Sequence, residues 1–238
     1  MGVRHGRPPA HVLALHGWRR THADFDEVLR GFDAVAPDLP GFGATAPPEA
    51  GWGSPEYAEA VIPVLEEEAW PVVLLGHSFG GRVALLIAAG RPDLVKALIL
   101  TGVPLLRPGG APPPRPAPGL RLAKALNRVG VVSDARLERR RRRSGPPDYQ
   151  AVTGVLREVF VRAVNETDDG TYRRALGAVE CPIELIWGEN DSAAPVAVAD
   201  EAAALAPGST VIRLAGVGHL TPNEAPAELQ AAIRRHLA

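Results

Sequence analysis

The chain carries two kinds of hydrophobic pattern in alternation. Short runs at 12–15, 34–37, 72–75, 97–100, 183–187 and 211–214 are strongly apolar, which is the pattern of short strands buried on both faces. Between them, 25–32, 79–89, 196–205 and 227–237 place apolar residues three and four apart, the spacing that gives a helix one buried face. Such alternation predicts a parallel sheet of about six strands covered by helices on both sides. The stretch 55–70 also reads as a helix. Pro63 should end or kink it, because proline removes an internal hydrogen bond and collides with the preceding turn.

The alternation stops between Thr101 and Cys181. Seven prolines fall within the fifteen residues 104–118, a composition for loop or extended chain. The segments 120–129, 134–143, 148–165 and 171–179 then show mostly amphipathic helical spacing. With no internal repeat and no second set of strands, the chain reads as one domain. Its core comes from 1–103 and 180–238, and 104–179 is inserted as a helical lid over the end of the sheet.

Composition narrows the picture. With 46% apolar residues among 238, the chain can build a sizeable core. A balance of 26 basic and 27 acidic residues gives no global field to draw it onto nucleic acid or an anionic membrane. Cys181 is the only cysteine, which excludes an internal disulfide or a multi-cysteine zinc site and points to a reducing compartment. Preceding Pro182 at the start of a strand, it is expected in the core. Residues 1–10 are polar and proline-bearing, unlike a secretory signal. No run approaches the roughly 18 apolar residues of a membrane span. The expectation is a soluble, cytoplasmic protein.

The strongest chemical signal is Gly76-His77-Ser78-Phe79-Gly80 between a strand and a helix. A nucleophile on so sharp a turn needs glycine two residues before and after it, because those backbones approach neighbours closely. A serine hydroxyl needs a base to act at neutral pH, and His219, in Gly216-Val217-Gly218-His219 just past the last strand, is the candidate. His236, in the terminal helix, is its rival. His16 and His77 belong to turn motifs with structural roles, and His5, His11 and His22 read as surface residues. The base needs a carboxylate to hold its tautomer. Asp191, after the strand 183–187, is preferred over Glu189, which lies nearer the strand end. Backbone N–H groups of Phe79 and of Trp18, in His16-Gly17-Trp18, are placed to receive an oxyanion.

Taken together, Leu15-His16-Gly17-Trp18, Asp38-Leu39-Pro40-Gly41-Phe42-Gly43, the Ser78 motif, Trp187-Gly188-Glu189-Asn190-Asp191 and Gly218-His219 resemble the α/β-hydrolase superfamily, in its serine carboxylesterase and C–C hydrolase branch. The chain order serine, acid, histidine is similar too. The resemblance implies the α/β-hydrolase fold and a metal- and cofactor-free serine hydrolase acting on a small or medium ester through an acyl-enzyme. Alternatives are cleavage of a carbon–carbon bond in a β-diketone-like substrate, an esterase of acyl groups on a carrier protein or CoA, a perhydrolase, and a ligand-binding receptor on the same fold. The family usually has two further strands before the first one found here, so the sheet looks trimmed at its N-terminal side. The lid is rich in arginine: Arg139 to Arg143 are consecutive, joined by Arg136, Arg157, Arg162, Arg173 and Arg174. A solvated helix face explains them, and a docking patch for an acidic partner is the sharper alternative.

Overall fold

A computed structural model describes residues 2–68, 71–107, 109, 118–144 and 150–238, with 141–144 in backbone only. All six expected strands form, as β2 (Val12–Leu15), β3 (Ala34–Pro37), β4 (Val72–His77), β5 (Val95–Thr101), β6 (Ile183–Gly188) and β7 (Thr210–Leu214). A seventh, β1 (Gly2–His5), precedes them. The spatial order is β1-β3-β2-β4-β5-β6-β7, with β1 antiparallel to β3 and every other pairing parallel. The sheet is therefore trimmed by less than expected. The strand at 2–5 escapes a hydrophobicity reading because it is an edge strand whose residues are half-buried or exposed. Arg4 on it pairs with Glu68, which also accepts the Ala10 N–H at 2.7 Å. A short edge strand bearing charge is poorly suited to pairing with another chain.

Helices cover both faces. On one side lie α1 (Ser54–Glu66), α2 (Phe79–Gly90), α6 (Thr171–Ala178) and α7 (Ala197–Leu205), whose buried side chains join those of β4, β5 and β6 in one core. On the other, Phe25, Val28, Leu29 and Phe32 pack with α9 (Pro226–Leu237) in a second core. Further helices are α3 (Pro118–Arg128), α4 (Asp134–Ser144), α5 (Val155–Glu166) and the short α8 (Thr221–Glu224). Between β5 and β6, α3 packs on α4, whereas α6 packs on α2 in the core layer. Among the described residues no helix is long and apolar enough to cross a membrane.

Two local expectations are corrected. The segment 25–32 is not a regular helix: a 3-10 turn at His22–Phe25 leads into successive turns. Its periodic apolar residues all face the core, so periodicity specified which side chains go inward without specifying the backbone bonding. Pro63 does not end its helix, since α1 runs through it to Glu66. Both Pro63 and Glu59, the residue whose carbonyl loses its partner, are exposed, so water can take the missing donor's place. The helix expected at 148–165 is observed as Val155–Glu166, and its predicted start at 148 lies outside the described residues. Most of the proline-rich stretch, 108 and 110–117, also lies outside them, as do the side chains of Arg141, Arg142 and Arg143.

The parallel register brings the chemistry together. Leu15 pairs with Gly76, His77 with Thr101 and Gly188 with Leu214. The segments leading to Trp18, Ser78, Gly102, Asp191 and His219 thus all leave from one edge of the sheet.

Candidate active site

Ser78 occupies the single residue between β4 and α2, with φ +49° and ψ −116°. A non-glycine residue at positive φ costs about 1–3 kcal/mol and persists only where its surroundings enforce it. Here the Ser78 N–H donates to the Thr101 carbonyl at 3.0 Å, and its own carbonyl accepts from Gly81 at 3.1 Å. The turn closes so tightly that a Cβ on Gly76 would lie 2.4 Å from Gly81 Cα, and one on Gly80 2.2 Å from the Leu15 carbonyl oxygen. Glycine at both places is therefore a steric requirement of the elbow.

His219 approaches from the loop after β7. Its Nε2 is 3.1 Å from Ser78 Oγ, and its Nδ1 is 2.8 Å from Asp191 Oδ2. Asp191 is buried, and its other oxygen accepts the N–H groups of Ala193 and Ala194, each at 2.8 Å. Glu189 is exposed, and His236 lies 2.9 Å from Glu184, a contact remote from this cluster. The structure thus brings Ser78, His219 and Asp191 into one hydrogen-bonded line.

The His219 loop is held on three sides. Glu224, from α8, accepts the N–H of Gly218 at 2.6 Å and of Leu220 at 3.0 Å. The His219 carbonyl lies 2.8 Å from His77 Nε2, which must therefore carry the proton. Burial first, and the neighbouring His219 second, push the His77 ring down to about 4. Neutral at ordinary pH, it places no second positive charge beside the His219 ring 5.0 Å away. His16 is likewise driven below its ordinary range by burial. Its Nε2 accepts the Leu39 N–H at 2.9 Å, so Nδ1–H donates to the Gly17 carbonyl at 2.8 Å. That tautomer fixes the turn carrying Trp18.

Asp38, of the Asp-Leu-Pro-Gly-Phe-Gly segment, works similarly. Burial alone would raise its carboxyl, but the backbone N–H groups of His22 and Ala44 and the His22 ring outweigh it and hold the group below the usual carboxylate range. His22 is therefore a partner of a buried acid rather than a simple surface residue. Cys181 is half-buried before β6, its thiol pushed up to about 11 by burial, which removes it as a nucleophile at neutral pH.

Ser78 and His219 open into a pocket of about 270 Å³ also lined by Trp18, Phe79, Arg82 and Phe160. Trp18 packs edge-on against Phe42 and Phe79, with centroids 5.1 and 5.5 Å away, and tilted against Phe160 at 5.5 Å. Trp18 and Phe79, whose backbone N–H groups are the expected oxyanion donors, both line this pocket with Ser78. A larger cavity of about 360 Å³ lies beside β1, β3 and α1 and contains no serine or histidine. Among the described residues no cluster of His, Cys, Asp or Glu could hold a metal ion. Of the arginines between β5 and β6, Arg157 pairs with Glu138 and Arg162 with Glu56, while Arg139 and Arg140 are exposed. Sequence reasoning missed Arg82 and Glu224. The Thr221-Pro222-Asn223-Glu224 helix start was the one available signal for the latter.

Residues 12–232 match the family described as alpha/beta hydrolase. Lipase LipV of Mycobacterium tuberculosis is 40% identical over 104 residues, covering 39% of this chain but only 36% of that protein. The magnesium-chelatase 30 kDa subunit of Rhodobacter capsulatus is 27% identical over 236 residues, 88% of this chain and 80% of that one. Among solved structures, the thioesterase domain from the curacin biosynthetic pathway superposes with a TM-score of 0.69 at 23% identity, covering 96% of this chain and 92% of its own.

Proposed function

The chain belongs to the alpha/beta hydrolase family, and on that premise we propose that it is a serine hydrolase of small or medium carboxylic esters, acting through an acyl-enzyme. One observation carries the reading: the line Ser78 Oγ to His219 Nε2 at 3.1 Å and His219 Nδ1 to Asp191 Oδ2 at 2.8 Å, beginning at a serine forced out on a strained turn. The lipase name of one relative agrees with an ester substrate.

Ser78 Oγ attacks the ester carbonyl while His219 Nε2 takes its proton, and the carbonyl electron pair moves onto oxygen. The backbone N–H groups of Trp18 and Phe79 receive that oxyanion, each contributing about 3 kcal/mol in an enclosed site. Collapse expels the alcohol, which takes the proton from His219 Nε2. Water, deprotonated by the same nitrogen, then attacks the acyl-enzyme, releasing the carboxylic acid and restoring Ser78. Throughout, Asp191 holds the proton on Nδ1 and stabilises the imidazolium. The helices α3 to α5 act as the lid, with Phe160 and Val164 of α5 walling the pocket. The cycle needs no metal or cofactor.

The test is covalent labelling with a fluorophosphonate, read by intact mass, beside turnover of p-nitrophenyl butanoate. Wild type should label once, at Ser78. Ser78→Ala and His219→Ala should lose labelling, with turnover down by a factor on the order of 10³ or more. A folded wild type that neither labels nor turns over any ester would instead favour a binding protein on this fold.

A further inference from the structure

Arg82 is a buried cation with no carboxylate partner among the described residues. It lies one helical turn after Ser78 on α2, is 6% exposed, and lines the pocket that opens from the serine. It also lines an adjoining pocket of about 230 Å³, which shares Pro104, Val164 and Ala193 with the first. Its Nη1 donates to the Ala163 carbonyl at 2.5 Å, and its Nη2 to the Pro104 carbonyl at 2.6 Å and Thr167 Oγ1 at 3.1 Å. Of the five N–H donors of a guanidinium, Nε–H is buried with no partner among the described residues. The Tyr172 ring packs 5.2 Å from the guanidinium carbon. Glu166, the buried acid nearby, accepts from Tyr172 and Ser54 and forms no ion pair with Arg82. The carbonyl end of α5 offers only about half a negative charge. A buried cation ordinarily requires a full counter-charge.

The pocket supplies none. Among the described residues, neither its walls nor those of the adjoining pocket include an aspartate or glutamate. Trp18, on the pocket wall, likewise has a buried indole N–H with no partner among the described residues. Arg107, the other cation lining the adjoining pocket, is already paired with Asp168.

We propose that Arg82 is a specificity-determining residue that receives a carboxylate at the far end of the substrate's acyl chain, so that the preferred substrates are monoesters of short dicarboxylic acids. The inference rests on the ester-hydrolase reading above. Arg82 and Ser78 line the same small pocket of about 270 Å³, which suits a short acyl chain, of about two to four methylenes, between ester and carboxylate. The three hydrogen bonds that Arg82 makes to α5, Thr167 and Pro104 hold the guanidinium in place for that contact.

The experiment compares kcat/KM for monomethyl glutarate with that for its neutral carboxamide, methyl 5-amino-5-oxopentanoate. Wild type should favour the anion by about 10-fold or more, as expected where one side of a desolvated charge pair is supplied by the ligand. Arg82→Gln should bring the ratio near one, and Arg82→Lys should restore part of it. A purely structural Arg82 would lower both rates together and leave the ratio unmoved. Either that result or a wild-type ratio at or below one overturns the proposal. If Arg82→Gln fails to fold, wild type decides: glutarate must inhibit p-nitrophenyl butanoate turnover more strongly than glutaramide, and equal or weaker inhibition overturns it. Fluorophosphonate labelling of Ser78 in the same preparations separates this failure from failure of the ester-hydrolase reading.

Discussion

At the scale of single residues, the site depends on which nitrogen of His219 carries the proton. Asp191 accepts from Nδ1 and is itself held by two backbone N–H groups, so its negative end is fixed before any substrate arrives. Asp191→Asn would keep the shape but let the amide favour the wrong tautomer. We expect kcat to fall by a factor on the order of 10⁴ while the melting temperature changes little. A smaller loss, below about 10-fold, would mean that Asp191 only packs. That Ser78, His219 and Asp191 meet was legible in the sequence because each sits in a short motif at a strand end, where chemistry and backbone geometry constrain the same few positions. Arg82 and Glu224 were not. Arg82 is the single polar side chain of an otherwise apolar α2, but its partners at 104, 163 and 167 become neighbours only in the folded chain. The His22–Asp38 contact, between residues sixteen apart, was hidden in the same way.

At the scale of elements, the elbow depends on how closely α2 approaches β2. A Cβ on Gly80 would meet the Leu15 carbonyl at 2.2 Å and that of His16 at 2.6 Å, both backbone atoms that no rotamer change can move. Alanine would gain about 1 kcal/mol of helix propensity, but the overlap costs about 1–3 kcal/mol or more. Sterics win, and Gly80→Ala should melt several degrees lower, roughly 2–4 °C per kcal/mol for a chain of this size. An unchanged or raised melting temperature in a thermal scan would show that the elbow has slack. The five interior strands were legible because a strand covered on both faces leaves few polar positions, and β7, at the opposite edge from β1, was legible from Val211, Ile212 and Leu214 although it is only half-buried. The edge strand β1 was not, since its register with β3 depends on pairing rather than on burial. The turns at 25–32 and the passage of α1 through Pro63 are both cases where solvent or loop bonding satisfies the backbone and frees it from the rule read off the side chains.

At the scale of the whole molecule, acid should unfold this protein through its buried histidines. His77 titrates near 4 in the folded chain and near 6.5 once unfolded. Above pH 6.5 it is neutral in both states and contributes no pH dependence. Between 6.5 and 4 the unfolded chain binds a proton that the folded one does not, so stability falls as pH falls, by about 3 kcal/mol in total. His16, also depressed by burial, acts in the same direction. Asp38, depressed in the native state, adds its own loss at lower pH, below the ordinary carboxylate range. Urea unfolding of wild type and His77→Gln at pH 7 and pH 4.5 checks this. The drop on acidification should be smaller in the variant, and equal drops would mean that His77 is not neutral in the fold.

Ser78 and His219 are 141 residues apart in sequence, yet they meet at 3.1 Å. Strands such as β4 and β5 can pair as soon as their own neighbourhood collapses, whereas this contact closes a loop that spans more than half the chain, and loops of that length close late. Time therefore separates shape from reactivity. In a refolding experiment, helical circular dichroism should return first, and the capacity of Ser78 to be phosphonylated should return last. Ser78 is in that sense a clock that starts only when the two halves of the sheet have found each other.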